Sequence, residues 1–406
     1  MGVRVRMKTF VKIFFILAIA SVVILSSFAA GYGTRWYFDK EAPTTEEAAE
    51  FSVFWEAWHI LEDNFYGELP ASKQVAYGAI RGVLALLNDQ HTTHVEPEPR
   101  QLEKDNLKGH FGGIGAYIHR SAEGQISVKV MDASPAMRAG LQDDDVLLKV
   151  DGTAVIPEMS EQDVVLLIRG PVGEPVTLTI SRSGTPEPFD VEIIREKIET
   201  PTVEWSMLDN GIGYVSISLF GERTASEIRT ALDELKQDDL HGLILDLRDD
   251  PGGLLNAAVD VTGEFIGREV VLHERKKDGT EKAYTSANGA VISDIPMVVL
   301  VNQNTASASE IVAGALRDTL LVPLVGEKTF GKGSVQLVFD LSDGSSLHVT
   351  VANWFTPEHH KIQDEGLTPD YEVSMESGEQ SGEAADPQLD KAIELLSANE
   401  TSTETS

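Results

Sequence analysis

The chain has 406 residues, room for two or three domains of ordinary size, and its 42% hydrophobic and 24% charged content excludes a fibrous or disordered class. A formal charge of −32 excludes nucleic acid as a partner, because neutralising phosphates takes clustered Lys and Arg. There is no cysteine, hence no disulfide, no thiolate metal site and no cysteine nucleophile, an absence compatible with any compartment.

In chain order, Arg4, Arg6, Lys8 and Lys12 precede a nearly uncharged apolar run over residues 13–32. About 20 helical residues at roughly 1.5 Å each span the ~30 Å core of a bilayer. The basic flank predicts a single-pass segment with everything after Trp36 outside the cytoplasm, periplasmic or at the cell surface. A signal peptide cut near Ser27-Phe28-Ala29, releasing a secreted protein, is the alternative. The length of the run and the interfacial pair Trp36-Tyr37 favour the uncleaved anchor. Residues 41–50 form an acidic spacer. Helical spacing of Phe54, Trp58 and Leu61, then Ala79, Val83 and Leu86, predicts two or three helices over residues 51–87. Residues 89–94 break the pattern. His91 and His94 there lack a third ligand at metal spacing, as do His359 and His360, so both pairs read as solvated loop histidines.

Short apolar runs then predict strands at residues 116–118, 126–131, 146–150, 176–181 and 189–194, with helices at 135–139 and 160–168. This is a β-rich module of about 85 residues. From residue 211 strands alternate with longer helices: strands 212–216, 243–247, 297–301, 335–339 and 347–353, and helices 224–237, 255–266 and 307–320. Such alternation predicts a largely parallel sheet flanked by helices. Residues 376–406 are acidic and Ser/Thr-rich, with a helix near 387–398 able to dock. The implied divisions are 1–37 for the anchor, 38–107 helical, 108–197 for the β-rich module, 198–375 for the α/β core and 376–406 for the acidic segment.

Three segments carry chemistry. In the first, a buried strand runs through Asn302-Gln-Asn-Thr-Ala-Ser307-Ala308-Ser309-Glu310 into a helix. Ser307 falls at the helix N-terminus, where unpaired amides and the macrodipole favour negative charge. The same pattern is a capping box, and most serines in it only cap helices. In the second, Gly326-x4-Gly331-Lys332 has phosphate-loop spacing, but Gly333 occupies the position where a magnesium-binding Ser or Thr is required. A lysine between glycines can approach a hydroxyl, and burial lowers its pKa toward a usable base. Lys332 can then deprotonate Ser307, with Gln336 holding the amine. In the third, Leu-Arg-Asp-Asp-Pro251-Gly252-Gly253 ends a buried strand in a turn that lets amides approach a substrate carbonyl. A plain strand-to-helix turn explains these glycines equally well. No G-x-S-x-G elbow, S-x-x-K or H-E-x-x-H motif competes.

Together these segments resemble the carboxy-terminal processing, or tail-specific, serine proteases, over residues 51–373. The resemblance implies an α/β core of the ClpP/crotonase-like type with an inserted PDZ domain, an N-terminal helical region and no cofactor. It implies Ser307 as nucleophile, Lys332 as base, Gln336 as its partner, and Gly253 with Ala308 as oxyanion donors. Thr305 and the pair Asp249-Asp250 depart from the commoner serine and asparagines. The β-rich module resembles the family's PDZ domain, with Gly112-Gly113-Ile114-Gly115 as carboxylate loop and Ile118 and Leu166 flanking an apolar groove. Consecutive backbone amides make a nest for a carboxylate, and the next strand can pair with an incoming peptide. Arg169 matches an arginine that couples the two domains. The expected partners are protein substrates with free C-termini, and self-association is left open. An inactive PDZ scaffold is the rival reading, and the presence of Ser307, Lys332 and Gln336 opposes it.

Overall fold

Leu243-Ile244-Leu245 offers no polar side chain to either face, a pattern for a strand covered on both sides. Strand Gly242–Asp246 is buried at every residue and lies within a six-stranded sheet in the order 203–207, 212–217, 242–246, 297–301, 324–326, 371–372. The first pair is antiparallel and the rest parallel, so the sheet is largely parallel as the sequence predicts, with strands 203–207, 324–326 and 371–372 added to it. The computed structural model describes residues 45–121, 124–287, 289–292, 295–375 and 386–403. The expected membrane segment at residues 13–32 lies outside the described residues, and among those described no helix is long and apolar enough to cross a membrane.

Alternation along the strands sorts their side chains to two cores. Leu243, Leu245, Val299 and Val301 point toward helices Thr224–Leu235, Leu255–Ile266 and Ala308–Leu320. Ile244, Val298, Leu300 and Val325 meet Ala392 and Leu396 of helix Pro387–Thr403, which does dock. Arg248 fixes that docking by pairing with Asp246 at 2.6 Å and Asp386 at 2.8 Å.

Residues 335–339 and 347–353, read as strands of the parallel sheet, belong to a second, antiparallel sheet. Strand Ser346–Phe355 pairs with Thr93–Val95, Ser334–Asp340 and Val270–Lys276, and the last pairs with Glu281–Thr285. The cause is local: Asp278-Gly279 and Asp343-Gly344 make tight turns with glycine φ of 84° and 88°, which close hairpins, not crossovers. The β-rich module is a six-stranded antiparallel sheet around Val128, Val164, Leu178 and Ile180. A ribbon of His110–Gly113 and Glu196–Glu199 closes its two ends together.

The chain divides into two units, residues 1–78 and 79–406. In the first, helix Thr45–Asn64 exposes Phe51, Trp55 and Ile60. In the second, residues 89–95 are not a solvated loop. Thr93–Val95 is a strand, His94 is half-buried within it, and the His91 carbonyl accepts a bond from Gln336.

Candidate active site

Three adjacent parallel strands end on the same side of the main sheet, where ligands of open α/β sheets bind. Gly242–Asp246 leads into the Pro-Gly-Gly turn, Met297–Val301 into Ser307, and Leu324–Gly326 into the loop of Lys332. Ser307, Ala308, Gly253, Lys332 and Gln336 all line one cleft of about 290 Å³, together with Glu103, Leu107 and Trp354.

An N-cap residue takes extended backbone, but Ser307 holds φ 56° and ψ −113°. Such a conformation costs a non-glycine residue roughly 1–3 kcal/mol and clusters at functional sites. Ser309 is fully buried and donates to the Asp250 carbonyl at 3.1 Å, so it is spent on structure. Only Ser307 of the two reaches the cleft.

Glu310 is more than half of a capping box. Its carboxylate accepts from Ser307 N–H at 2.9 Å, Gly331 N–H at 2.8 Å, Lys332 N–H at 2.9 Å and Thr329 Oγ1 at 2.5 Å. Burial raises its pKa above the usual carboxylate range against the pull of these four donors. One side chain thus fixes the backbone of both Ser307 and Lys332. The sequence signal for Glu310 was visible as the third residue after Ser307, but its reach to the lysine loop was not.

Burial lowers the pKa of Lys332 below the ordinary lysine range, while the carboxylate of Glu103 works to raise it. Glu103 comes from helix Pro97–Lys108 and is itself held by Arg100 at 2.8 Å and His348 at 3.4 Å. Nothing in the sequence near Lys332 pointed to it. The flanking Gly333 is required for a reason other than access to a hydroxyl: a Cβ there would lie 2.3 Å from the Gln363 amide nitrogen. Gln336 sits beside a bulge in the pairing of its strand and donates through Nε2 to the His91 carbonyl. Bulges re-aim side chains, and this one turns Gln336 into the cleft.

The Pro-Gly-Gly turn distinguishes its two glycines. The Gly252 N–H is spent on Asp250 Oδ1 at 2.8 Å. The contact of the turn with Phe220 uses Gly252 O and Leu254 N–H, leaving the Gly253 N–H out of the pairing. Gly253 adopts φ 142°, and a Cβ would strike the Phe220 carbonyl oxygen at 2.2 Å. Ala308 is the first helical residue, whose N–H has no intrahelical acceptor. Two backbone donors therefore face the cleft beside Ser307.

Gly113, Ile114 and Gly115 of the expected carboxylate loop, with Ile118, line a second cavity of about 1070 Å³. Its far wall is Val165, Ile168 and Arg169, not Leu166, because 165, 168 and 169 share a helix face and 166 is turned about 100° away. Gly112 is paired in the ribbon, and its Cα is packed against the Gly170 carbonyl, so it shapes the loop without lining the cavity. Arg169 stacks on Phe111 at 3.6 Å and bonds Asn106 Oδ1 at 3.4 Å, one helix turn from Glu103 and beside Leu107.

The family model for peptidase family S41 matches residues 211–373, and that for the PDZ domain matches residues 126–182. The chain is 36% identical to the carboxyl-terminal-processing protease of Synechocystis sp. over 347 residues, 84% of this chain and 81% of that protein. It is 34% identical to the carboxy-terminal processing protease CtpA of Bacillus subtilis over 370 residues, 91% of this chain and 78% of that protein. A crystal structure of a putative S41 protease from Bacteroides fragilis shares the fold with a TM-score of 0.52 at 18% identity, over 82% of this chain and 92% of that one.

Asp250, at the start of the Pro-Gly-Gly turn, is a second buried carboxyl. It is fully buried, its Oδ2 has no hydrogen-bond partner, and burial pushes its pKa up to about 7 against the bond from Gly252. The folded state therefore keeps a proton that the unfolded chain releases near its ordinary value of 3.8. Stability falls as pH rises from about 4 to about 7, and the deficit, at most about 4 kcal/mol, persists above that. Asp250→Asn keeps the acceptor for Gly252 and removes the ionisation. Urea unfolding at pH 5 and pH 8 should show that the variant loses less stability across this interval than the parent. An equal loss in both proteins would assign the pH dependence elsewhere.

Proposed function

This chain belongs to peptidase family S41, as a PDZ-containing carboxyl-terminal processing serine protease, and from that premise we propose that Ser307 is the nucleophile, Lys332 its general base and Gln336 the residue that orients the amine. The observation that carries the assignment is the meeting of all three with the Gly253 and Ala308 amides in one cleft. Neutral Lys332 takes the proton of Ser307 Oγ as the oxygen attacks the scissile carbonyl. The oxyanion settles between the two N–H groups, which need no reorganisation when charge appears there. The lysine ammonium returns its proton to the departing amine, leaving an acyl-enzyme. Lys332 then deprotonates water as it attacks the acyl carbonyl and passes that proton to the departing Ser307 Oγ, releasing the acyl part as a new C-terminal acid and restoring the neutral amine. No step calls for a metal or nucleotide.

Substrate tails enter through the second cavity. The amide nest over Gly113, Ile114 and Gly115 receives a free carboxylate, and Ile118, Val165 and Ile168 bury an apolar last side chain. Arg169 links this groove to helix Pro97–Lys108, which carries Glu103 and Leu107 into the catalytic cleft. That route supports its role in coupling the domains. Residues 13–32 anchor the chain with its catalytic part outside the cytoplasm, a reading supported by the basic flank and the length of the apolar run.

Ser307→Ala and Lys332→Ala should each abolish cleavage of a protein substrate with its fold retained by circular dichroism. The double variant should be barely worse than either single, because the two residues act as a unit. Near-normal cleavage by the Ser307→Ala protein would overturn the assignment.

Only the neutral amine is a base, so kcat/KM should rise as pH climbs through the lowered pKa of Lys332. Glu103 favours the ammonium, and Glu103→Gln should move the rising limb to lower pH. A limb that stays in place would separate Glu103, or the lysine, from the controlling ionisation.

Amidating the C-terminus of a bound peptide should weaken its affinity by roughly 1.5–3 kcal/mol, the range for hydrogen bonds to a charged group. Arg169→Ala should lower turnover more than peptide affinity. Equal binding of free-acid and amidated peptides would rule out tail capture, and unchanged turnover would leave Arg169 a purely structural residue.

A further inference from the structure

Strand Ser334–Asp340 is paired on one side. Its neighbour is Ser346–Phe355, and among the described residues no other strand lies along its second edge. Antiparallel pairs alternate between residues that exchange both backbone bonds and residues that exchange none. Leu341 N–H donates to Ser345 O at 2.7 Å, so the register makes Phe339–Leu347 and Leu337–Val349 the bonded pairs. Gln336 and Val338 therefore turn their N–H and C=O groups outward. At the other end Trp354 N–H donates to Gly333 O at 2.9 Å, which turns Ser334 outward as well. None of these outward groups has a backbone partner among the described residues.

The outward residues lie at the active site. Ser334, Gln336 and Val338, with Val335 at the bulge, line the cleft of Ser307, Gly253 and Ala308, whereas Leu337 and Phe339 do not. We infer that the free edge of strand Ser334–Asp340 is the rail on which the substrate chain docks beside its scissile bond, adding to the sheet as an extra strand through the backbone of Gln336 and Val338. This rests on the assignment of Ser307 and Lys332 above. The strand starts two residues after Lys332, so a chain paired with it is held at a fixed register from the base. Main-chain pairing supplies the affinity in such strand addition, and alternate side chains supply the selection.

The side chains of this strand support the same reading. Leu337, Val338, Phe339 and Leu341 are 50%, 41%, 50% and 37% exposed. A bare apolar edge is an aggregation hazard, and proteins blunt such edges with charge, proline or a covering segment. Here the charge stands at the far end, where Asp340 is held by Arg100 and Lys104 at 3.0 Å each. The residues nearer the cleft keep an edge open to pairing. A substrate strand laid there covers it, and its residues opposite Leu337 and Phe339 share a face with them. Cross-strand pairs of this kind favour β-branched and aromatic partners. The substrate class is thus an extended, unfolded segment with apolar residues at alternate positions near the cut.

The test uses the full chain and a peptide substrate in which single backbone amides away from the scissile bond are replaced by esters, removing one N–H without adding bulk. Only every second N–H of an added strand faces the rail. Esters at those alternate positions should each lower kcat/KM about two- to tenfold, the worth of one backbone hydrogen bond, and esters between them should cost markedly less. Val338→Pro deletes an outward N–H and leaves the ladder intact, as proline on an edge strand does. It should raise KM about fivefold or more at the parent's thermal midpoint, whereas Leu337→Pro removes a ladder bond and should lower the midpoint. Loss of cleavage of the all-amide peptide by the Ser307→Ala protein tests the catalytic assignment separately. An ester series without alternation would sink the inference, as would a folded Val338→Pro protein with the parent's KM. If Val338→Pro abolished concentration-dependent self-association and left KM unchanged, the edge would belong to a second copy of the chain, again against the inference. Should that variant fail to fold, the ester series decides alone.

Discussion

The catalytic architecture depends on one buried carboxylate. Glu310 receives four hydrogen bonds from three places in the chain: its own helix N-terminus, Thr329, and the backbone of Gly331 and Lys332. A buried charge is tolerable only when its oxygens are saturated by donors, and that requirement makes the site self-consistent. The amides that satisfy Glu310 include those of Ser307 and Lys332 themselves, so the same bonds fix both backbones at the cleft. Satisfying the carboxylate and assembling the site are the same event.

A second constraint comes from the sheet. Parallel strands deliver their following loops to one end, and here the three neighbouring strands 242–246, 297–301 and 324–326 carry the Pro-Gly-Gly turn, Ser307 and Lys332 in spatial order. Burial on both faces makes these strands hard to shift. Sliding any of them by one residue would exchange the side chains of the helix-covered core with those facing helix Pro387–Thr403. The loops can therefore be irregular, with Ser307, Gly252 and Gly253 all at positive φ, because the frame beneath them is over-determined.

Much of this was legible in the sequence, for physical reasons. Strand and helix over residues 242–266 and 297–320 show in uninterrupted apolar runs followed by helical spacing, and two of the three motifs stand at the ends of those strands; the three-residue strand Leu324–Gly326, which leads to the third, was too short to show. What was illegible came from partners far away in the chain. Glu103 acts on Lys332 from a helix whose own pattern is that of a solvated surface. His91 contributes a carbonyl, which has no side-chain signature at all. The antiparallel sheet was misread because two Asp-Gly hairpin turns passed as ordinary loops, and Leu166 because a helix face is decided by a single step of about 100°.

Strand Ser346–Phe355 has a consequence for how the protein comes into being. It pairs with a strand that precedes the β-rich module and with two that follow it, and the Gln336 side chain reaches a carbonyl 245 residues earlier. Contacts of such separation form slowly, since the loop they close must be ordered before it is rewarded. A growing chain therefore carries Ser307 well before it has Lys332, and has Lys332 before the strand that secures Gln336. The cleft is therefore complete only once strand Ser346–Phe355 has been made and has closed on residues 93–95 and on the strand of Gln336.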